Sequence, residues 1–262
     1  EYQINDRMSF MRFLGINLCE KVPDAKTIWK FKNDLAETET VDKLFCMFDE
    51  HLENKGLISH KGTIVDATFV DAPRQRNSRD ENKKIKNGVI PEGWEKPENK
   101  SKLAQKDIDA DWTKKNGERH FEYKDHVKCD ADSKLITNYS VTSASVHDSQ
   151  RCLVFIGQED EVLYADSAYS GKPIALALPE NCKNQICEKG YRNSPLTSEQ
   201  KMNNRRKSRI RCRIEQIFGF MTGAMHGITI RSIGITRAWM NIGITNLVYN
   251  FCRYSYLKRA SA

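Results

Sequence analysis

At residues 161–171 the chain runs Glu161-Val162-Leu163-Tyr164-Ala165-Asp166-Ser167-Ala168-Tyr169-Ser170-Gly171. The apolar start of this segment is typical of a short buried strand, and its end predicts a turn into a new element. A carboxylate at the C-terminal end of a buried strand is a favoured position for a catalytic group in an open α/β sheet. The alternative is that Asp166 caps the following helix. The rest of the chain decides between the two.

The composition predicts a soluble, basic protein. Of its 262 residues, 39% are hydrophobic and 29% are charged, and the formal net charge is +7. Excess Lys and Arg favours a polyanionic partner, most simply nucleic acid. The eight cysteines stand singly in no common zinc spacing, which predicts reduced thiols in a cytosolic chain. No apolar run reaches the roughly 18 residues of a membrane span, and no signal peptide is recognised. Because the chain lacks an initial methionine, we expect it to be shortened at its N-terminus.

Residues 1–60 are predicted to form a small helical domain. An apolar stripe covers residues 8–18, Pro23-Asp24 marks the start of a second helix, and a third helix is expected over residues 41–57. Two short helices with basic residues on the second resemble a DNA-binding helix-turn-helix. A plain helical hairpin packed on the main domain is an equal alternative.

A second carboxylate interrupts an apolar strand. Residues 62–73 are mostly β-branched or apolar, with Asp66 in the middle and Asp71 at the end. Asp66 shares a pleat face with Ile64, whereas Asp71 points the other way. A carboxylate in such a place is either functional or bonded to neighbouring backbone.

Charge of both signs dominates residues 74–119. This pattern predicts a long loop or a partly disordered insertion that is anchored by Trp94 and Trp112. The insertion is either a solvated linker or a flexible arm that lies on nucleic acid.

Residues 120–142 alternate strictly and predict a β-hairpin. One face is apolar, and the other is basic through Lys124 and Lys128. Residues 147–149 then begin a short helix, for which Asp148 or Ser149 is the expected N-cap.

A long basic helix is predicted to begin at the capping-box sequence Thr197-Ser198-Glu199-Gln200. Glu215 lies about 100° from Ile214 on a helical projection, at the rim of the apolar stripe. Arg211 stands one turn earlier, and an exposed i,i+4 ion pair is the structural alternative for these two residues. A last helix over residues 235–257 is expected to cover the sheet.

The order of these elements predicts an α/β fold: a ribonuclease-H-like mixed sheet flanked by helices, occupying residues 61–262. In that fold the strands that carry Asp66 and Asp166 are neighbours, and a late helix brings Glu215 over them. Three such carboxylates repel one another unless divalent cations lie between them, and Mg²⁺ prefers oxygen ligands. Two ions about 4 Å apart activate the attacking oxygen and stabilise the leaving oxygen at a phosphodiester.

The chain resembles the DDE transposases of bacterial insertion sequences, in particular the insertion-sequence-five group. The resemblance covers nearly the whole length. Its motifs are Asp6-Arg7-Met8-Ser9-Phe10 with Val22-Pro23-Asp24, Val65-Asp66-Ala67-Thr68, Tyr123-Lys124-Asp125-His126-Val127-Lys128, Val141-Thr142-Ser143-Ala144-Ser145-Val146-His147-Asp148-Ser149, Tyr164-Ala165-Asp166-Ser167-Ala168-Tyr169, and Arg211-x-x-x-Glu215-x-x-Phe218-Gly219.

The resemblance implies that Asp66, Asp166 and Glu215 are the catalytic acids and the metal ligands. It also implies Mg²⁺ as the cofactor, with Mn²⁺ as a substitute, and double-stranded DNA as the partner, both as transposon ends and as target. The implied function is metal-dependent phosphodiester hydrolysis and strand transfer by a homodimer at the bacterial nucleoid. The basic residues expected to hold the DNA backbone are Lys124, Lys128, Arg205, Arg206, Arg209, Arg211 and Arg213. His147 is an auxiliary candidate beside the DNA path, or it makes a hydrogen bond at the start of a helix.

Two positions depart from the related signature Tyr-x2-Arg-x3-Glu-x6-Lys. Ser208 stands at its tyrosine position and Thr222 at its lysine position. Two other hypotheses therefore remain beside the transposase: an inactive, truncated DNA-binding remnant, and a structure-specific nuclease with the same three acids.

Overall fold

A computed structural model describes residues 1–115 and 117–260 of the chain. Asn116, Ser261 and Ala262, which fall within the predicted insertion and catalytic domain, lie outside the described residues. The strands are β1 (Thr63–Asp71), β2 (Asp111–Lys115), β3 (Glu118–Asp130), β4 (Ile136–Ser143), β5 (Val162–Tyr164) and β6 (Lys183–Asn184). The helices are α1 (Tyr2–Asp6), α2 (Met8–Leu14), α3 (Ala25–Glu37), α4 (Thr40–Asn54), α5 (Arg79–Lys86), α6 (Lys100–Ala104), α7 (Asp148–Phe155), α8 (Lys172–Ala177), α9 (Ser198–Gly223) and α10 (Ile235–Ala260).

The strands form one mixed sheet in the order β2-β3-β1-β5-β6, with β4 also paired to β3. The β1–β3, β2–β3 and β3–β4 pairs are antiparallel, whereas β5 runs parallel to both β1 and β6. The mixed α/β prediction is confirmed. The strand order also places β5 beside β1, as the ribonuclease-H-like prediction requires.

Alternation along β1 divides the hydrophobic residues between the two faces of the sheet. Ile64 and Val70 pack in the cluster that holds Ile214 of α9 and Ile242 of α10. Val65 packs in a second cluster built from α7, β5 and α8. Asp66 therefore faces α9, as the pleat predicts.

Helices α3 and α4 pack on the main body of the protein. Ala36 of α3 and Val41 of α4 form a buried cluster with Met240 of α10. The choice between a helix-turn-helix and a helical hairpin for α2 and α3 stays a prediction, because the helix that packs beside α3 in this cluster is α4. The N-cap prediction for α3 is confirmed, because Asp24 accepts a hydrogen bond from the Thr27 amide. The predicted helix over residues 8–18 is too long, since α2 ends at a left-handed Gly15.

The insertion contains more regular structure than the sequence analysis expected. It carries α5, α6 and β2, so its prediction as a loop is wrong in part. These elements lack a long apolar stripe, and α5 instead begins with a capping box between Ser78 and Glu81. Both predicted anchors are confirmed: Trp94 is buried, and the Trp112 ring lies 5.4 Å from the Phe121 ring.

The ends of two further helices test the capping predictions. Thr197 and Gln200 form the predicted capping box at the start of α9. At α7 the prediction is off by one residue, because the N-cap is His147 and not Asp148 or Ser149. Within the described residues, every helix is too short or too polar to cross a bilayer.

Candidate active site

Asp66 lies on β1, and Asp166 lies two residues beyond the end of the neighbouring parallel strand β5. Ile64 of β1 pairs with Tyr164 of β5, and each carboxylate follows this pair by two residues. Parallel strands are about 4.8 Å apart, so the two backbones bring these side chains to one place. The Asp66 carboxylate accepts a hydrogen bond from the Ala67 amide at 2.9 Å, and Asp166 accepts one from the Ser167 amide. Asp166 thus also caps a short turn, which was the structural alternative for it.

Arg211 connects Glu215 to Asp66. Its guanidinium donates to Asp66 at 2.8 Å through one nitrogen and to Glu215 at 2.9 Å through another. Glu215 stands at the rim of the buried face of α9, as predicted, with 57% of its side chain exposed, against 20% for both Arg211 and Asp66. The i,i+4 ion pair expected as a structural alternative is therefore present, and it extends to a strand 145 residues away.

Burial controls the protonation of Asp66. It raises the pKa of Asp66 to about 6, although the Ala67 amide and the Arg211 charge lower it. The negative charges of Asp166 and Asp148 raise it further. For Arg211, burial lowers the pKa, but the nearby carboxylates outweigh burial and leave it raised. The guanidinium therefore stays charged and partly neutralises the acids around it.

The three predicted acids do not gather as one compact group in this structure. Among the described residues, the groups whose ligand atoms lie within 4.8 Å of one another are His60 with Glu159 and Asp160, and Asp71 with His120 and Glu122. In the first group, the Lys128 ammonium already lies 2.9 Å from Asp160. Between Asp66 and Glu215 the positive charge is that of Arg211, so these acids approach a cation and not each other.

Two of the predicted DNA contacts, Lys124 and Lys128, form ion pairs within the protein. Lys124 and Lys128 are buried on the face of β3 that was predicted to be basic. Lys124 lies 2.8 Å from Asp148 and donates to the Val146 carbonyl, and Lys128 lies 2.9 Å from the buried Asp160. A phosphate could reach either ammonium only by breaking a buried ion pair. The strand alternation was right, but this face packs against protein and not against solvent.

The arginines of α9 divide into two sets. Arg213 donates to the Ala131 carbonyl at 2.6 Å and to Asp132 at 3.1 Å, so it fastens the turn between β3 and β4. Within the described part of the chain, the second set is exposed and pairs with no carboxylate. This set consists of Arg205, Arg206 and Arg209.

His147 makes the local contact that was weighed as its alternative role. Its Nδ1 caps α7 by accepting from the Ser149 amide at 3.3 Å, and it also lies 2.7 Å from the Ser149 hydroxyl. The neighbouring Asp148 is a residue that sequence analysis undervalued, because it pairs with Lys124 and contributes negative charge at Asp66. The only sequence signal for it is its place beside His147.

The residues at the two positions that depart from the signature make local contacts within the protein. The Thr222 hydroxyl donates to the Phe218 carbonyl of its own helix at 2.7 Å. Ser208 lies on the inner side of α9, where its hydroxyl is 3.9 Å from the Cys187 sulfur. Neither residue replaces the charge or the ring of the residue that the signature expects.

Two family profiles match the chain. A sequence profile of the Transposase DDE domain family matches residues 58–251. The chain therefore belongs to the Transposase DDE domain family. A second profile, Transposase domain (DUF772), matches residues 1–34, which hold α1, α2 and most of α3.

Two solved structures show weak similarity. One is a piggyBac transposase synaptic complex with hairpin DNA, at 9% identity and a TM-score of 0.39, covering 75% of this chain and 48% of that chain. The other is a pre-cleavage Mos1 transpososome, at 9% identity and a TM-score of 0.29, covering 94% of this chain and 69% of that chain. The chain thus spans about half the length of the piggyBac chain. At these TM-scores neither similarity bears on function.

Proposed function

We propose that this protein is a DNA transposase that hydrolyses a phosphodiester at an element end and joins the freed 3′-hydroxyl to target DNA. The observation that carries the proposal is the placement of Asp66 on β1 and of Asp166 just beyond the end of the adjacent parallel strand β5, with Glu215 linked to Asp66 through Arg211. Membership of the DDE domain family supports the same chemistry.

The donors at this place fit divalent cations. Carboxylate oxygens are the ligands that Mg²⁺ and Mn²⁺ prefer, and we assign Asp66 and Asp166 to both ions and Glu215 to the second. The guanidinium of Arg211 already lies within 3 Å of two of these residues, so the site accommodates positive charge. When bound, the ions would activate the attacking oxygen and stabilise the leaving one.

Arginines of α9 supply positive charge beside the carboxylates and candidate contacts to the DNA backbone. Arg211 balances the carboxylates until a cation enters, and it can then turn to hold Glu215 or a phosphate. The exposed Arg205, Arg206 and Arg209 lie two to six residues before it on α9, where they can contact the DNA backbone.

The finer assignments rest on the resemblance of motifs. We assign the protein to the insertion-sequence-five group and place it on bacterial DNA at the nucleoid, as a homodimer that pairs two transposon ends. Residues 1–60 would bind the ends, and residues 61–262 would form a ribonuclease-H-like catalytic domain.

A strand-transfer assay tests the proposal. The substrate is a labelled duplex taken from the DNA that borders the coding sequence, incubated with target plasmid and Mg²⁺. We expect Asp166→Asn to reduce both nicking and joining by more than about a hundredfold, since even outer-shell partners of a metal are worth 10- to 100-fold. Asp80→Asn is the matched control, because Asp80 is an exposed aspartate in the first turn of α5 and is not one of the three acids. Full activity of Asp166→Asn would overturn the metal role.

One observation favours a second candidate, a structure-specific nuclease. Thr222 and Ser208 supply no cation and no aromatic ring where the transposase signature has them, so we expect weaker contacts to a nicked end that is held for joining. The same assay separates the two, because a nuclease would nick without producing joined target.

A further inference from the structure

A basic groove lies between α3 and α10, apart from the three predicted acids. One wall is α3, the other is the segment 229–232, and the floor is the beginning of α10. Its volume is about 260 Å³. We call it the α3 groove, and its principal residues are Trp29, Lys32, Asn33, Arg231, Arg237 and Asn241.

The charge of the α3 groove has one sign. Lys32, Arg231 and Arg237 line it, and no acidic residue does among those described. Lys32 and Arg231 form no ion pair with a described carboxylate, and Arg231 is exposed. Arg237 is held in place by hydrogen bonds to Asn33 at 2.8 Å and to the Ile233 carbonyl at 3.1 Å. Three unneutralised cations in a concave surface attract a polyanion.

Trp29 adds an aromatic surface to these cations. It is 64% exposed, although tryptophan is seldom left so open to water. Proteins that bind single-stranded nucleic acid combine such rings with a basic groove, because a base stacks on the ring while cations hold the backbone.

The groove is joined to the strand that carries Asp66. The Ile230 amide donates to the Asp71 carbonyl at 2.9 Å, and Thr229 forms a bridge with Asp71. Asp71 lies five positions beyond Asp66 along β1, which is roughly 17 Å at 3.4 Å per residue. DNA also rises about 3.4 Å per nucleotide, so the groove stands roughly five or more nucleotides from the reaction site.

We propose that the α3 groove binds the DNA strand beyond the reaction site, with Lys32, Arg231 and Arg237 on the phosphates and an unpaired base stacked on Trp29. The inference rests on the proposed function and extends it to a second DNA contact, used where the duplex is opened. It differs from a helix-turn-helix assignment, in which α3 would enter the groove of an intact duplex.

Fluorescence anisotropy with two labelled probes tests this contact. One probe is a blunt 20-base-pair duplex, and the other is the same duplex with a single-stranded dT10 arm. We expect Trp29→Ala to weaken binding of the armed probe about tenfold and to leave the blunt probe unchanged, whereas Trp29→Phe keeps most of the affinity. Tyr256→Ala is the matched control, since Tyr256 is 61% exposed beside Arg253 near the other end of α10.

The salt dependence of DNA binding tests the phosphate contacts proposed for Lys32 and Arg231. Lys32→Gln and Arg231→Gln should each lower the slope of log K against log salt on the armed probe by about 0.7, the value for one phosphate of a single strand. Lys258→Gln, which is exposed near the end of α10, should leave the slope unchanged.

The outcomes separate this inference from the proposed function. If the wild type binds neither probe, the proposed function fails together with the inference. If the wild type binds and the Trp29, Lys32 and Arg231 variants bind as it does, only the α3 groove is overturned. Equal losses of Trp29→Ala on both probes would overturn base stacking and favour docking of α3 on duplex DNA.

Discussion

The Arg211 guanidinium donates a 2.8 Å hydrogen bond to the Asp66 carboxylate. A second bond from the same group reaches Glu215, one helical turn further along α9. This contact places a fixed positive charge among the carboxylates to which we assign divalent ions. Arginine and metal therefore compete for the same oxygens, and this competition can be measured without a DNA substrate.

Removing the arginine should make the protein more responsive to Mg²⁺. Without metal, we expect Arg211→Gln to be less stable than the wild type by about 1–3 kcal/mol, because Asp66 loses its charged partner. Saturating Mg²⁺ should stabilise the variant more than the wild type, by about 1.4 kcal/mol for each tenfold gain in affinity. Thermal unfolding with and without Mg²⁺ measures both effects.

Arg213→Gln is the matched control for this experiment. Arg213 lies two residues further along α9 and donates to the Ala131 carbonyl, not to the acids. Its loss should lower stability without changing the increment from Mg²⁺. An increment in Arg211→Gln no larger than that of the wild type would contradict the competition.

The buried position of Lys128 predicts a structural role. Lys128→Met should lower the free energy of unfolding by about 3–5 kcal/mol, because it leaves the Asp160 carboxylate buried without its cation. It should not change the salt slope of DNA binding. Urea unfolding and anisotropy test the two parts, and Lys183→Met, at an exposed lysine of β6, should change stability by less than about 0.5 kcal/mol. A reduced slope for Lys128→Met in folded protein would restore it as a DNA contact.

The exposed arginines of α9 should account for phosphate contacts to duplex DNA. Arg206→Gln and Arg209→Gln are each expected to lower the slope of log K against log salt by about 0.9 on a blunt duplex. Stability should stay within about 0.5 kcal/mol of the wild type, since neither side chain pairs with a described carboxylate. Slopes equal to the wild type in both variants would remove this face of α9 from the DNA path.

Because of the titration of Asp125, the free energy of unfolding should fall as the pH rises through neutrality. It is completely buried beside Asn246, and burial raises its pKa to about 8 although the Asn246 amide lowers it. A carboxyl whose pKa is higher in the folded than in the unfolded protein stabilises fully below the unfolded pKa of about 3.9. That contribution is lost progressively between about pH 4 and pH 8, by up to about 1.4 kcal/mol per pH unit.

Asp125→Asn isolates this contribution from other titrating groups. The Asp125 Oδ2 and Asn246 Oδ1 atoms are buried and have no hydrogen-bond partner among the described residues. A neutral Asp125 has a proton to donate to Asn246, and an asparagine amide can donate in the same place. Denaturation from pH 5 to pH 9 should therefore show a flatter profile for the variant. Parallel profiles would mean that Asp125 is ionised in the folded protein.

Local sequence chemistry determined much of the fold. The caps at Asp24 and at Thr197 with Gln200 were predicted and observed, because each depends on a side chain reaching an amide three residues away. The alternation of β3 was also predicted from local sequence, since the side chains of a strand have a period of two. Short helices such as α5 escaped prediction because they carry no apolar stripe.

The sequence by itself determined most of the elements, their faces and the candidate acids Asp66, Asp166 and Glu215. Only the tertiary structure decided which charged side chains form ion pairs. Alternation placed Lys124 and Lys128 on one face, but whether that face meets water or Asp148 and Asp160 depends on how α7 and the loop before β5 fold over it. Charge pairing acts between residues distant in the chain, so it follows from packing and not from any local pattern.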